Sequence, residues 1–325
     1  MKISVVISSE LNDNDWAQIT SGFNESFLLN KEPFELSNYY SSNELGYSYH
    51  AICRTDIGEI VAHSSIFPYI YLVNQERMLF GLSGGTFVLK AYRKEAFLYI
   101  DLLEELKSVV SQRGIVLTYG VSNENSFEMA VKLLGSVHLK DLKYYTTPVA
   151  FSKLILKKKI IFVDRIFQFF LVFGCFLLRL YSQNFDVVEK LKPLRLDWTE
   201  KFCSFRFGKK YKQIHSEMFT AIYRIVDEEG IKVAYIMDFR RKGLRSLYAL
   251  SSSISHILLN DEIDLIIFVG ELSFRQPLLW RVPRRFEPQR LPLTYDLLLN
   301  ENQELRDLIS NPKNWDFSLM NFDAR

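Results

Sequence analysis

Phe87-Val-Leu-Lys-Ala-Tyr-Arg-Lys-Glu-Ala-Phe97, followed downstream by Tyr119-Gly-Val-Ser-Asn-Glu-Asn-Ser126 and a helix closing on Leu133-Leu-Gly135, is the stretch that decides the fold. A strand that stops at an arginine-bearing turn and feeds directly into a helix leaves backbone N–H groups unbonded at the positive end of a helix dipole. Such a turn attracts a diphosphate. A plainer reading of the second stretch stands beside this one. Asn125 with Glu128 fits a helix capping box, and Gly135 fits a glycine just past a helix end. Glu95 reads first as a helix-stabilising acid of the first turn.

Working outward, Asp13-Asn14-Asp15 can cap a helix with Trp16, Ile19 and Phe23 on one face. Residues 50–54, 60–71 and 78–89 are strand-like runs separated by turn residues, which predicts antiparallel hairpins. A helix is predicted over 97–112, with Leu98, Leu102, Leu103 and Leu106 at helical spacing and Gly114 ending it. Residues 115–121 read as a strand and 127–134 as a helix.

The turn Tyr92-Arg93-Lys94-Glu95-Ala96, the pair Asn123-x-x-Ser126 and the closing Leu134-Gly135 resemble the acyl-CoA signature of the GCN5-related N-acyltransferase (GNAT) family, across about residues 1–150. The resemblance implies that Arg93, Lys94, Glu95, Ala96, Phe97 and Leu98 cradle the pyrophosphate of acetyl-CoA or another acyl-CoA. It implies also that Phe87 and Val88 pair with the pantetheine, and that Asn123 and Ser126 lie along its arm. Ala96 and Leu98 stand where the family carries glycines, and Ala130 stands where it often carries a proton-donating tyrosine. Tyr119, Tyr92 and Tyr144 are substitutes for that donor. A protonated amine has no lone pair to attack a thioester, so a base is sought among Glu25, Glu32, His50 and His63. The catalytic set taken forward is Glu32, His50 and Tyr119. A histidine on a strand is more commonly a satisfied, half-buried residue.

The chain has 325 residues, 48% apolar and 24% charged, which suits two folded domains and excludes a disordered chain. A net charge of +2 argues against nucleic acid as the partner. Cys53, Cys175 and Cys203 lack metal-ligand spacing and read as buried apolar residues, in a cytoplasmic protein. No metal is expected.

Residues 153–159 supply four lysines, and 160–180 are dominated by Phe, Leu, Val and Ile. The unbroken apolar run, 169–178, is too short to cross a bilayer core of about 30 Å. A buried helix is the commoner reading. The alternative, a peripheral membrane contact through 153–181, has lysines on anionic headgroups and aromatics in the acyl boundary.

From Leu194 the order recurs: a helix over 218–226, a strand over 232–238, the basic turn Phe239-Arg240-Arg241-Lys242-Gly243, a helix over 246–259 and a strand over 264–269. Gly270-Glu271-Leu272-Ser273 replaces the Asn-x-x-Ser pair, so only the first half is expected to bind acyl-CoA. The predicted class is α/β (α+β): two GNAT-like domains in tandem, each a mixed, mostly antiparallel sheet flanked by helices, at 1–150 and 194–325, joined by a helical segment at 151–193. The closing stretch Asn314-Trp315-Asp316-Phe317-Ser318, ending in Phe322-Asp323, resembles that of tandem GNAT-like proteins of bacterial surface-polysaccharide synthesis. That likeness implies an amino sugar, nucleotide-linked or lipid-linked, as the small-molecule amine acceptor. Trp315 and Asp316 suit a sugar, or equally a buried terminal strand. Arg281, Arg284, Arg285 and Arg290 form a solvated loop or a diphosphate contact. Two rival functions remain: aminoacyl transfer from tRNA, as in the FemABX proteins, and a GNAT-like binding factor without catalysis.

Overall fold

The computed structural model describes residues 1–322 except Ala96, Lys157, Lys159, Asp186, Lys209, Asn300 and Glu301; Ala96 of the phosphate turn and Asp323 of the closing motif therefore lie outside the described residues. Strand β1 (Lys2–Ile7) leads to α1 (Asp13–Phe27). Asn12 starts that helix: its side chain accepts the Asp15 N–H at 3.0 Å, and Asp15 accepts the Asn12 N–H at 3.3 Å, a capping box. Then come α2 (Pro33–Ser41), β2 (Tyr49–Arg54), β3 (Ile60–Val73), β4 (Glu76–Val88), α3 (Leu98–Gln112), β5 (Ile115–Val121), α4 (Glu124–Leu133) and β6 (Val137–Asp141). The middle of the chain holds β7 (Lys143–Pro148), α5 (Phe151–Ile155), α6 (Ile161–Asn184), β8 (Leu194–Leu196) and α7 (Glu200–Arg206). The remainder is β9 (Lys212–His215), β10 (Thr220–Glu228), β11 (Ile231–Arg240), α8 (Leu247–Asn260), β12 (Leu265–Gly270), β13 (Trp280–Arg281), β14 (Pro292–Leu297), α9 (Gln303–Ser310) and β15 (Trp315–Asp316).

Two units share these elements, and each is assembled from three stretches of chain. Unit 1 is Met1–Asp141, Pro193–Phe207 and Leu291–Trp315; unit 2 is Leu142–Lys192, Gly208–Arg290 and Asp316–Arg325. The expected cuts at 150 and 194 do not coincide with them, because β7 pairs in the second sheet while β8 and β14 return to the first.

In unit 1 the strand order is β1-β2-β3-β4-β5-β14-β6, with β4 and β5 parallel. Leu98, Leu102, Leu106 and Val110 are the inward stripe of α3 and pack on Ala51, Cys53, Val61, Ala62 and Ile115 of the sheet. In unit 2 the order is β13-β7-β12-β11-β10-β9, with β11 and β12 parallel and α8 between them in sequence. Residues 218–226, expected as a helix, contain the start of β10 instead. Thr220 to Glu228 pairs with β11 throughout, and its apolar residues satisfy a helical and a strand pattern alike.

Candidate functional site

β4 and β5 pair in parallel from Leu79↔Ile115 to Leu82↔Tyr119, with a register shift between Leu79 and Phe80, and then part. Beyond that point β4 carries an irregularity against β3: the pairing passes from Ser65↔Gly84 to His63↔Phe87, leaving Gly85 and Thr86 opposite Ser64. Gly85 has φ +63°, open to glycine at little cost. A Cβ there would lie 2.0 Å from the Tyr40 hydroxyl oxygen, so the position has no room for a side chain either. The Ser64 and Thr86 hydroxyls bond at 2.8 Å and hold the bulge.

The parted strands open a cavity of ≈ 270 Å³. One wall is the Ser83-Gly84-Gly85-Thr86 backbone; the other is Gly120 to Asn123 with Ser126 and Ala130 of α4. Tyr99, Leu103 and Lys107 of α3 cover it, and Thr294 and Asp296 of β14 close it. Gly120 leaves the mouth clear, since a Cβ there would meet only Ser83, at 3.7 Å. Asp296 accepts from Lys107 Nζ at 2.9 Å and from the Ser136 hydroxyl at 2.8 Å. Burial and the Asp296 carboxylate both push the Tyr99 phenol up, so it keeps its proton.

Behind the bulge runs a buried chain of polar groups. Ser8 Oγ lies 2.9 Å from His50 Nε2, His50 Nδ1 lies 3.0 Å from His63 Nε2, and His63 Nδ1 lies 2.9 Å from the Gly85 carbonyl oxygen. Burial lowers His63 to about 4 and puts His50 well below its ordinary value, with the neighbouring His63 adding to the effect. Both rings are neutral near pH 7, so the Gly85 carbonyl, which can only accept, fixes every tautomer. His63 Nδ1 donates to it, His50 Nδ1 donates to His63 Nε2, and the Ser8 hydroxyl donates to His50 Nε2. Each donor polarises the next toward Gly85.

Two parallel strands divorced at a bulge, with a helix before the second and another after it, and the same β-α-β order again in unit 2, settle the comparison. The fold is the GNAT fold. A GCN5-related N-acetyltransferase from Anabaena variabilis ATCC 29413 superposes with a TM-score of 0.58 at 11% identity, over 92% of this chain and 73% of its own. One from Kribbella flavida matches with a TM-score of 0.55 at 11% identity, over 91% and 71%. N-myristoyltransferase of Saccharomyces cerevisiae with myristoyl-CoA bound matches at 0.52 and 10%, over 92% and 83%. No protein-family model matches this sequence, nor does any curated protein.

On this GNAT scaffold the expected residues fall in several places. Asn123 and Ser126 line the cavity, and there Asn123 caps α4: its side-chain oxygen accepts from the Ser126 N–H and hydroxyl, both at 2.9 Å. The capping residue is therefore Asn123 rather than Asn125. Phe87 and Val88 are paired with β3, and the Phe87 ring faces Gly22 and His63 and does not line the cavity. Arg93 is exposed and its Nε donates to the Val88 carbonyl at 2.9 Å. Lys94, Glu95 and Phe97 are also exposed, whereas Leu98 is buried in the unit 1 core. The turn consumes amides that were expected to be open: Glu95 N–H bonds Tyr92 O at 3.1 Å and Leu98 N–H bonds Glu95 O at 3.1 Å. Phe97, at the N-cap of α3, provides no side-chain cap.

The expected catalytic set is dispersed. Glu32 is an exposed residue at the N-cap of α2. His50 is buried, with both ring nitrogens engaged. Tyr119 reaches the cavity wall while its ring lies buried beside Tyr71 and Trp315, and burial raises its phenol well above the ordinary range. Ala130, which the sequence resemblance aligns with a proton-donating tyrosine, lines the cavity. Asp296 and Thr294 were missed because β14 arrives from far along the chain.

In unit 2 the corresponding wedge is filled by the chain itself. β11 and β12 pair from Val233↔Leu265 to Ile236↔Phe268. Beyond them the C-terminal segment enters, with Gly270 bridged to Ser318 and the Glu271 N–H bonded to the Phe317 carbonyl at 3.2 Å. The expected basic turn is spent on structure. Arg240 pairs with Asp238 at 2.9 Å and Asp316 at 2.8 Å, Arg245 pairs with Asp238, Glu189 and Asp316, and Arg241 stacks on Tyr248 at 4.4 Å. Trp315 is buried with its indole N–H on the Ile309 carbonyl at 2.8 Å, so the closing stretch takes the terminal-strand reading rather than a sugar platform.

Proposed function

We propose that unit 1 is an acyl-CoA-dependent N-acyltransferase. The observation that carries this reading is the cavity between the parted β4 and β5, walled on one side by β4 residues past their last pairing with β5 and on the other by the N-terminus of α4. The dimensions and chemistry suit a pantetheine arm, which is thin, flexible and studded with amides seeking backbone partners. Ser83 to Thr86, Ser122, Asn123 and Ser126 would hold it. An acyl-CoA supplies the activated thioester.

The histidine chain supports the reading in a second way. It holds the Gly85 carbonyl, and the Thr86 N–H of the same planar trans peptide points to the opposite side, away from His63. A backbone donor fixed in that manner suits the oxyanion of a tetrahedral intermediate. His50 and His63 act here as positioning residues. The acceptor as an amino sugar of surface-polysaccharide synthesis, and acetyl as the acyl group, rest on the sequence resemblance. The non-catalytic rival draws on the turn amides bonded to their own backbone and on Ala130.

Thermal shift and calorimetry with CoA, acetyl-CoA and longer acyl-CoAs test the proposal, since a ligand of the folded state raises the melting point by mass action. Wild type is expected to shift. Gly120→Leu, whose side chain would fill the mouth, is expected to keep the unliganded melting point within a few degrees and to lose the shift. No shift with any thioester removes the assignment.

A further inference from the structure

Helix α6 has two unlike faces. Inward, Leu171, Val172, Cys175 and Leu178 pack on the core of unit 2, Gln168 Nε2 donates to the Leu258 carbonyl at 2.7 Å, and Asp164 accepts from the Ser152 N–H and hydroxyl, both at 2.7 Å. Outward, Phe169, Phe170, Phe173, Phe176, Leu177 and Leu180 are between 44% and 65% exposed. Between residues 166 and 181 every exposed side chain is apolar, a stripe roughly 24 Å long. The buried reading of this segment thus holds for one face only: just 6% of its most apolar window is buried.

Length and composition would let the 24-residue helix cross a membrane. Its inward face argues otherwise, because spanning would strip Cys175 and its neighbours from the unit 2 core and leave Gln168 and Asp164 without their partners. A helix with one face committed to protein and the other wholly apolar lies along a surface.

Charge selects the surface. Lys158 and Arg165 are exposed at the N-terminal end of the stripe. At the other end a cavity of ≈ 640 Å³, lined by Leu178 and Tyr181 of α6, carries Lys190, Lys192 and Arg275 and no carboxylate among its lining residues. Cations at both ends disfavour a twofold copy, since either a parallel or an antiparallel pairing would bring like charges together. Anionic headgroups complement both ends at once.

We propose that unit 2 docks on an anionic lipid bilayer through this face of α6, the helix lying in the plane of the headgroups. The phenylalanines enter the acyl boundary, and Lys158, Arg165 and the Lys190–Arg275 cavity take headgroup phosphates. The proposal is independent of the acyl-transfer reading, because α6 belongs to unit 2 and the acyl-donor cavity to unit 1.

Vesicle flotation of the full chain tests it, with phosphatidylcholine alone and with phosphatidylcholine mixed with phosphatidylglycerol. The chain is expected to float with the mixed vesicles and much less with the neutral ones. The double variant Phe169→Ser, Phe173→Ser is expected to lose at least about tenfold in bound fraction while keeping its melting point, both rings being outward. Flotation of the variant equal to wild type, or no flotation of wild type on either vesicle, overturns the proposal. So does a lipid-free dimer in light scattering that the variant converts to monomer, which would give the face to a second copy.

Discussion

His63 and Asp316 are buried ionisable groups whose folded chemistry departs from that of a free chain, and both make stability depend on pH in the same sense. In an unfolded chain a histidine takes its proton near pH 6.5, whereas His63 holds off until about 4. Between those values the unfolded state binds more protons, so stability is full above about pH 6.5 and falls as pH drops through the window. The loss from His63 is about 3 kcal/mol, with His50 adding in the same direction. Urea unfolding across a pH series should show this slope, and His50→Gln with His63→Gln should flatten it; an unchanged slope would show that other groups carry the dependence. Asp316 acts lower. Burial alone would raise its carboxyl, but Arg240 and Arg245 overcome that and hold it at about 2, so its contribution is present above about pH 4 and is lost between there and pH 2. Asp316→Asn should remove that second acid transition and should cost about 3–5 kcal/mol at neutral pH, because two buried guanidinium groups lose their shared partner. A loss under 1 kcal/mol would mean that water replaces the carboxylate. Neither group's state was legible in the sequence. His50 and His63 were visible as strand histidines, yet nothing local says that residue 50 faces residue 63, or that Asp316 returns to meet Arg240.

At the scale of elements, sequence and structure agree where one element carries its own local signal. The α3 stripe of leucines, the strand 115–121 and the helix following Asn123 all carry their signals within a few residues, and the structure shows the strand at its expected bounds and the two helices with ends shifted by at most three positions. β10 failed because Ala221, Ile222, Tyr223, Ile225 and Val226 are apolar at spacings that suit either period, and pairing with β11 decides between them. The bulge in β4 is likewise invisible in the sequence: Ser83-Gly-Gly-Thr86 continues the strand-like run, and only its parting from β5 after Leu82 makes it the wall of a cavity. The bulge carries its own prediction. Gly85→Ala forces a side chain into a left-handed backbone and onto the Tyr40 hydroxyl, and should cost about 2–4 kcal/mol. Tyr40→Phe removes the atom at 2.0 Å and leaves the next at 3.2 Å, so in that background the same substitution should cost only the backbone share, about 1–2 kcal/mol. A double-mutant cycle measures the difference; zero coupling would mean that the overlap is relieved elsewhere.

For the whole molecule, the organising fact is that chain order and unit membership disagree. β14 leaves unit 2's stretch of sequence and inserts between β5 and β6, so that Thr294 meets Gly120 across 174 residues. No periodicity records such a partner; the strand-like run Pro292-Leu-Thr-Tyr-Asp-Leu297 says that it is a strand, and says nothing of where. Without β14, β5 and β6 each lose a neighbour, Asp296 is missing from the cavity, and Lys107 is left with no carboxylate among the contacts described for it. Two half-buried strand edges then face water, which favours association with other chains. A fragment ending at Asp141 should therefore express as an aggregate or an expanded monomer, even though it contains every residue of the acyl-CoA signature. Supplying residues 286–315 as a separate peptide should recover a cooperative melting transition, because that segment restores β14 and α9 together. If the fragment alone melts cooperatively as a monomer and binds CoA, then β14 is an accessory to the first sheet and the cavity does not depend on it. The long closure also predicts slow refolding of the full chain relative to its helix content, since the ladder between β5 and β14 forms only after most of unit 2's sequence has been drawn in.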